Sequence, residues 1–110
     1  MSDRITRADI AVQVAMLESY ARTVKLIKDD DALILEKSPG GYSLTVRDSS
    51  EPGSRRAFAP LGGFGVLGST AKDAHRAAWI MQETLWSTCQ ALGIQTTYPA
   101  EKVAAIRGEK

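Results

Sequence analysis

The sequence predicts an α+β fold of order α-β-β-β-α: a long N-terminal helix, a three-stranded antiparallel meander, a second long helix and a short C-terminal tail. Three observations predict it. Near each end, a stretch of roughly twenty residues repeats apolar side chains at every third or fourth position, the period that lines one face of a helix. Between them, Tyr42, Leu44 and Val46 alternate with Ser43, Thr45 and Arg47, the period of two that gives a strand one apolar and one wet face. Each helical stretch opens on a threonine followed three residues later by an aspartate, a spacing in which each side chain satisfies an otherwise free backbone N–H.

The first helix is expected from Thr6 to about Lys28. Ile10, Val14, Leu17, Ala21 and Val24 form its stripe, with Met16, Tyr20 and Ile27 widening it, and Thr6 with Asp9 caps its start. Asp29, Asp30 and Asp31 repel one another at the negative end of the helix dipole, so the helix is expected to stop there in a solvated turn. Ala32 to Lys37 reads as the first strand. Ser38-Pro39-Gly40-Gly41 offers proline and then glycine, the pair that a type II turn requires, and the alternating strand follows. After the loop SSEPGS, RRAFAPL is the third strand, and Pro60 marks it as an edge or ends it.

The second helix is expected from about Thr70 to Leu92. Ala74, Ala78, Met81, Leu85, Cys89 and Leu92 form its stripe, and Gly93 stops it. Pro99 starts a short helix that then frays. Residues 1–98 are therefore read as one α+β domain and 99–110 as a helical or frayed tail.

Composition narrows the function. The chain has 110 residues, 44% of them hydrophobic and 25% charged, enough for one modest core and too few for two domains. Fourteen basic against thirteen acidic residues leave a net charge of +1, without the excess that drives general phosphate binding. Cys89 has no partner for a disulfide, and one cysteine with one histidine, His75, makes no metal-ligand spacing, which together read as a reducing, cytoplasmic setting. No export signal or membrane span is read in the sequence.

Gly63, Gly65 and Gly68 spell G-x-G-x-x-G, a dinucleotide fingerprint, yet the cap at Thr70 places Gly68 outside the helix that the third glycine should enter. Ser69 stands where a phosphate-binding loop needs lysine. The expectation is no cofactor, and a tight turn with positive φ at one or more of these glycines. Catalytic candidates fail in the same way. His75 has no acidic or nucleophilic neighbour on its face, Cys89 lies late on an apolar stripe, and Ser69 and Ser87 lack a triad context. The aspartate run 29–31 lacks the alternating ligands of a cation loop. No catalytic or metal residue is assigned, and the chain is read as a non-enzyme.

Trp79 and Trp86, seven apart, fall together well off the centre of the second helix's stripe, beside His75 and Gln82. Two readings stand. Either helix one or the sheet edge covers them as core margin, or they form an aromatic strip for a partner or a second copy of the chain. A three-stranded layer leaves a face and two edges to manage, which favours a homodimer.

Three resemblances meet in these residues. The α-β-β-β-α order with GSTAKDAHRAA opening the last helix resembles a double-stranded-RNA-binding domain, which implies nucleic-acid contacts from Lys72 and Arg76, with Arg55 and Arg56 as further basic candidates; Ala71 departs from that pattern. LEKSPGGYSLTV followed by LGSTAKDAHRAAWIMQETL is similar to HicB-type antitoxin domains, from which the long first helix and the SSEPGS loop depart. The chain as a whole, a strand meander ending in a glycine turn and a T-x-x-[DE]-A helix, resembles small accessory proteins of actinobacterial phages. That last likeness implies a cytoplasmic, non-enzymatic protein that binds a host protein, here through His75, Trp79, Gln82 and Trp86. The alternative is a nucleic-acid-binding regulator using Arg55, Arg56, Lys72 and Arg76.

Overall fold

Thr6 caps the first helix as its spacing predicts. In the computed structural model, which describes residues 5–48, 53, 55–58 and 66–108, helix α1 runs Arg7–Thr23. The Thr6 hydroxyl accepts the Asp9 N–H at 3.2 Å, and the Asp9 carboxylate accepts the Thr6 N–H at 2.9 Å. The other end departs from expectation. Lys25 takes the left-handed conformation (φ 66°), and the Lys25 and Leu26 N–H groups fold back onto the carbonyls of Arg22 (3.1 Å) and Ala21 (2.9 Å). This closure satisfies the last carbonyls and stops the helix before the aspartate run. Ile27 is turned back into the core from outside the helix.

The aspartates do not form a solvated turn. Asp29 and Asp30 are exposed, but Asp31 is fully buried. Its carboxylate accepts the Lys28 N–H (3.1 Å) and the Arg56 guanidinium (3.1 Å), while its carbonyl accepts from Arg22 (2.7 Å). Periodicity cannot foresee this, because the arginine partners arrive from other elements.

Strands β1 (Ala32–Ser38) and β2 (Gly41–Arg47) form an antiparallel hairpin in the register Leu33↔Val46, Leu35↔Leu44 and Ser38↔Gly41. Its two-residue loop is not the expected type II turn. Gly40 has no positive φ; the requirement falls on Gly41, at φ 129°, where a Cβ would strike the Gly68 carbonyl oxygen and lie 2.7 Å from the Ser69 Cα. Two short strands pair antiparallel with the far side of β2: β3 (Arg55–Ala57), with Val46↔Arg56, and β4 (Val66–Gly68), with Tyr42↔Gly68. The Phe58 N–H continues the first of these to the Leu44 carbonyl at 3.4 Å. The meander is thus β1-β2 plus a third row in two pieces. Strand β4 was not foreseen, since three residues beside glycines are too few to show a period of two. The rest of the expected third strand, including Pro60, lies outside the described residues, as do Gly63 and Gly65.

Helix α2 runs Ala71–Leu92. The Thr70 hydroxyl accepts the Asp73 N–H at 3.1 Å, but the returning bond that completes the box at α1 is absent. Gly93, at φ 74°, ends the helix, and the Ile94 N–H returns to the Cys89 carbonyl at 2.8 Å. Helix α3 (Ala100–Arg107) follows Pro99.

Helices α1 and α2 cover one face of the sheet. Ile10, Val14, Leu17 and Ala21 of α1 meet Leu33, Tyr42, Leu44, Val46, Phe58 and Leu67 from the sheet and its third row, and Ala74 and Ala78 of α2. On the other face Glu36 accepts from Thr45 (3.0 Å) and pairs with Arg55 (2.8 Å), beside Ile34 and the exposed Val66. On its far side α1 packs Val12 and Ala15 against Val103 of α3. Buried Glu18 joins three elements there, accepting the Leu33 N–H (2.8 Å) and pairing with Lys102 (2.7 Å) and Arg22 (3.3 Å). Burying a carboxylate is costly unless its oxygens are satisfied, and here they are.

Candidate interaction surface

Helix α2 packs through small side chains. Its buried positions are Ala74, Ala78, Gln82 and Cys89, each three or four residues from the next except across Leu85, which is half-buried beside Met81. Small residues let a helix lie close to its neighbours, so the stripe is narrow. Its large apolar residues are left outside: Trp79 is 47% exposed, Trp86 42%, Ile80 45% and Leu92 69%. Leu92 is therefore not part of the core stripe. Neither α1 nor the sheet edge seals the tryptophans.

Seven residues bring a helix around to nearly the same angle, so Trp79 and Trp86 stand on one side of α2, two turns apart. His75 lies a turn before Trp79 and is half-buried. Gln82 does not belong with them. It is only 2% exposed, at the centre of the buried stripe, and cannot reach a partner from there.

At the start of α2 the surface dips into a groove of about 730 Å³ between Ile5 and the first two turns, lined by Thr70, Ala71, Lys72, His75, Arg76 and Trp79. Two of the partner-binding candidates and two of the nucleic-acid candidates thus share one depression. Arg55 and Arg56 do not line it. They occupy β3, Arg55 bound to Glu36 and Arg56 to buried Asp31, with Asp48 at 3.8 Å from the Arg56 guanidinium. The four basic residues do not line a common groove. Lys72, His75 and Arg76 make no ion pair among the described residues.

Asp9 borders this end of the molecule. Its carboxyl is held below the ordinary carboxylate range, first by the Thr6 backbone N–H and then by the Thr6 hydroxyl, with a smaller attraction from His75. On the opposite flank of α2, a smaller apolar groove of about 200 Å³ is lined by Leu17, Leu26, Phe58, Ile80, Met81, Thr84 and Leu85. Sequence reasoning missed both Ile5 and Ile80. Ile80 was legible in principle, because its angle on α2 lies well away from the buried stripe; Ile5 was not, because only the packing of α1 brings it to α2.

Gly68 has a structural role. It lies in β4, two residues before the cap, without positive φ, and a Cβ on it would meet the Ala74 nitrogen at 2.6 Å and the Asp73 carbonyl carbon at 2.9 Å. Close approach between β4 and the first turn of α2, rather than a left-handed turn, is what requires glycine there. Cys89 is a buried free thiol, as its place on the stripe predicts.

Among the described residues, no group of three or more acidic, histidine or cysteine side chains is placed to hold a metal ion, and no helix is long and apolar enough to cross a membrane. No family model, no curated protein and no solved structure matches the chain.

Proposed function

We propose that this protein is a non-enzymatic protein-interaction domain that makes its contact through the outer side of α2, centred on Trp79 and Trp86. One observation carries the reading: α2 turns small residues inward and leaves Trp79 and Trp86, on one side, 47% and 42% exposed. Leaving so much large apolar surface exposed costs hydrophobic free energy that a contact would recover, and tryptophan is the residue type most enriched where contacts are strong. A second copy of the chain is the first partner in this reading. The phage-protein resemblance adds a host protein, met in the host cytoplasm, as another.

The nucleic-acid alternative is weaker on this surface. It keeps Lys72 and Arg76, while Arg55 and Arg56 are already engaged by carboxylates. The test is a Trp79→Ser/Trp86→Ser double change followed by light scattering and a thermal melt. The expected result is a dimeric parent and a monomeric variant that still unfolds cooperatively at a similar midpoint. A variant that associates as the parent does, or a parent that stays monomeric at high concentration, removes self-association from this face. An unfolded variant returns both tryptophans to the core.

A further inference from the structure

We infer that the groove between Ile5 and the start of α2 receives an extended acidic peptide segment, with two carboxylates and an apolar side chain at alternate positions. The inference rests on the reading of α2 as a protein-contact surface and names the chemistry of one partner. The groove is lined by apolar Ile5, Ala71 and Trp79 and by the cations Lys72 and Arg76, with His75 between these two in sequence. Its volume is in the range of clefts that hold ligands. Lys72 and Arg76 make no ion pair among the described residues, as is also true of Arg7, Lys28, Lys37, Arg47 and Arg107, but these two line one groove together with Ile5 and Trp79. The groove therefore sets two cations beside apolar surface.

The spacing sets the ligand's pattern. Lys72 and Arg76 are four apart, so their side chains emerge one above the other on one side of α2, with Trp79 a turn further on. From Lys72 to Trp79 is a rise of about 10.5 Å along a helix. An extended chain places side chains i, i+2 and i+4 on one side over about 13 Å, a difference that long lysine and arginine side chains absorb. Acid-x-acid-x-aromatic, laid along these turns, puts one carboxylate on Lys72, the next on Arg76 and the ring against Trp79 and Ile5. A guanidinium takes the second carboxylate through two parallel N–H donors, which fixes its orientation.

A nucleic-acid strand would use the same cations and stack a base on Trp79. It is disfavoured because two phosphate contacts supply little of the electrostatic term that retains nucleic acid at physiological salt. The net charge of +1 adds no surrounding field.

The experiment titrates the full chain into a fluorescein-labelled peptide carrying Asp, Glu and Phe at alternate positions, followed by anisotropy. Controls are the same peptide with Asn and Gln for the two acids, and a labelled single-stranded oligonucleotide. Saturable binding of the acidic peptide is expected, weakened at least about tenfold by amidation of its acids and by Lys72→Glu/Arg76→Glu. Lys28→Gln, an exposed cation beyond the C-terminal end of α1, should leave peptide affinity unchanged. A thermal melt of each variant confirms that it is folded, and Lys72→Gln/Arg76→Gln repeats the test without charge reversal. Preference for the oligonucleotide, with affinity falling steeply in salt, overturns the inference in favour of nucleic acid. Equal binding of the acidic and amidated peptides, or none at millimolar protein, also overturns it. The tryptophan contact surface would survive either outcome, because its own test is self-association, and loss of self-association in the Trp79→Ser/Trp86→Ser variant is read independently of the peptide.

Discussion

Helices α1 and α2 treat their side chains in opposite ways. Helix α1 lies between the sheet, α2 and α3, and buries Ile10, Val12, Val14, Leu17 and Tyr20 as well as a carboxylate. Helix α2, five residues longer, buries two alanines, a glutamine and a cysteine, and leaves both tryptophans in water. Their ends differ too. One has a reciprocal cap at its start and a strained lysine at its end; the other has half a cap and an unstrained glycine. The contrast separates a helix that holds the fold together from one that uses a thin seam to present its outer side.

The largest expected effect tests that division directly. Leu17→Ala should lower stability by about 2 to 5 kcal/mol, because Leu17 is fully buried in the core and its truncation leaves a cavity there. Ile80→Ser, on the open side of α2, should cost under about 1 kcal/mol. Denaturant melts giving equal losses would erase the distinction.

Glu18→Ala comes next, at about 1 to 3 kcal/mol, since it strands the buried Leu33 N–H without an acceptor. Lys102→Ala should cost less, because the Glu18 carboxylate then keeps the Leu33 N–H and the Arg22 guanidinium. If the two changes cost the same, the ion pair rather than the backbone bond is what Glu18 contributes.

Gly68→Ala should destabilise by about 1 to 3 kcal/mol, as the new methyl would press on backbone of α2 that has no flexible side chain to yield. The measurement is the midpoint shift in urea. A silent substitution would mean that β4 and the helix separate at little cost, and the seam holding α2 would be looser than its geometry.

A gain in stability is expected at Lys25. A left-handed lysine costs roughly 1 to 2 kcal/mol that glycine avoids, partly offset by the freer unfolded chain, so Lys25→Gly should stabilise by about 0.5 to 1 kcal/mol. Its exposed pairing with Asp29 contributes little to set against this. A neutral or lower melting temperature would show that the closure of α1 depends on the lysine itself.

The smallest effect separates the two caps by pH. The Asp9 carboxyl is held below its ordinary range in the fold, so its contribution is present above the unfolded value, near pH 4, and is lost as pH falls through the folded value. Asp9→Asn should therefore lower the melting temperature slightly at neutral pH, and the difference should vanish in acid. A difference that persists to the lowest pH at which the chain stays folded would remove the carboxylate from the cap.

The period of three and four placed α1 and α2, the period of two placed β2, and Thr6, Thr70 and Gly93 marked helix ends where they occur. Those signals are local, carried by residues within a turn or two of one another. The early stop of α1 was hidden because no glycine marks it. The Gly40 assignment failed because Gly41 carries the special conformation, and its need is imposed by the approach of β4 from some 25 residues away.

The candidate surface was legible only in part. An angle on a helical wheel brought Trp79, Trp86 and His75 together, and it also admitted Gln82, which the fold buries. Arg55 and Arg56 read as free cations until Glu36 and Asp31 came into contact with them. By itself, the sequence determined the helices, the central hairpin, the apolar face of the sheet and the balance of charge, because each depends on patterning along the chain. Tertiary structure alone decided which carboxylates are buried, that the third row is split into two strands, and that α2 turns its tryptophans to solvent, because each depends on contacts between residues far apart in sequence.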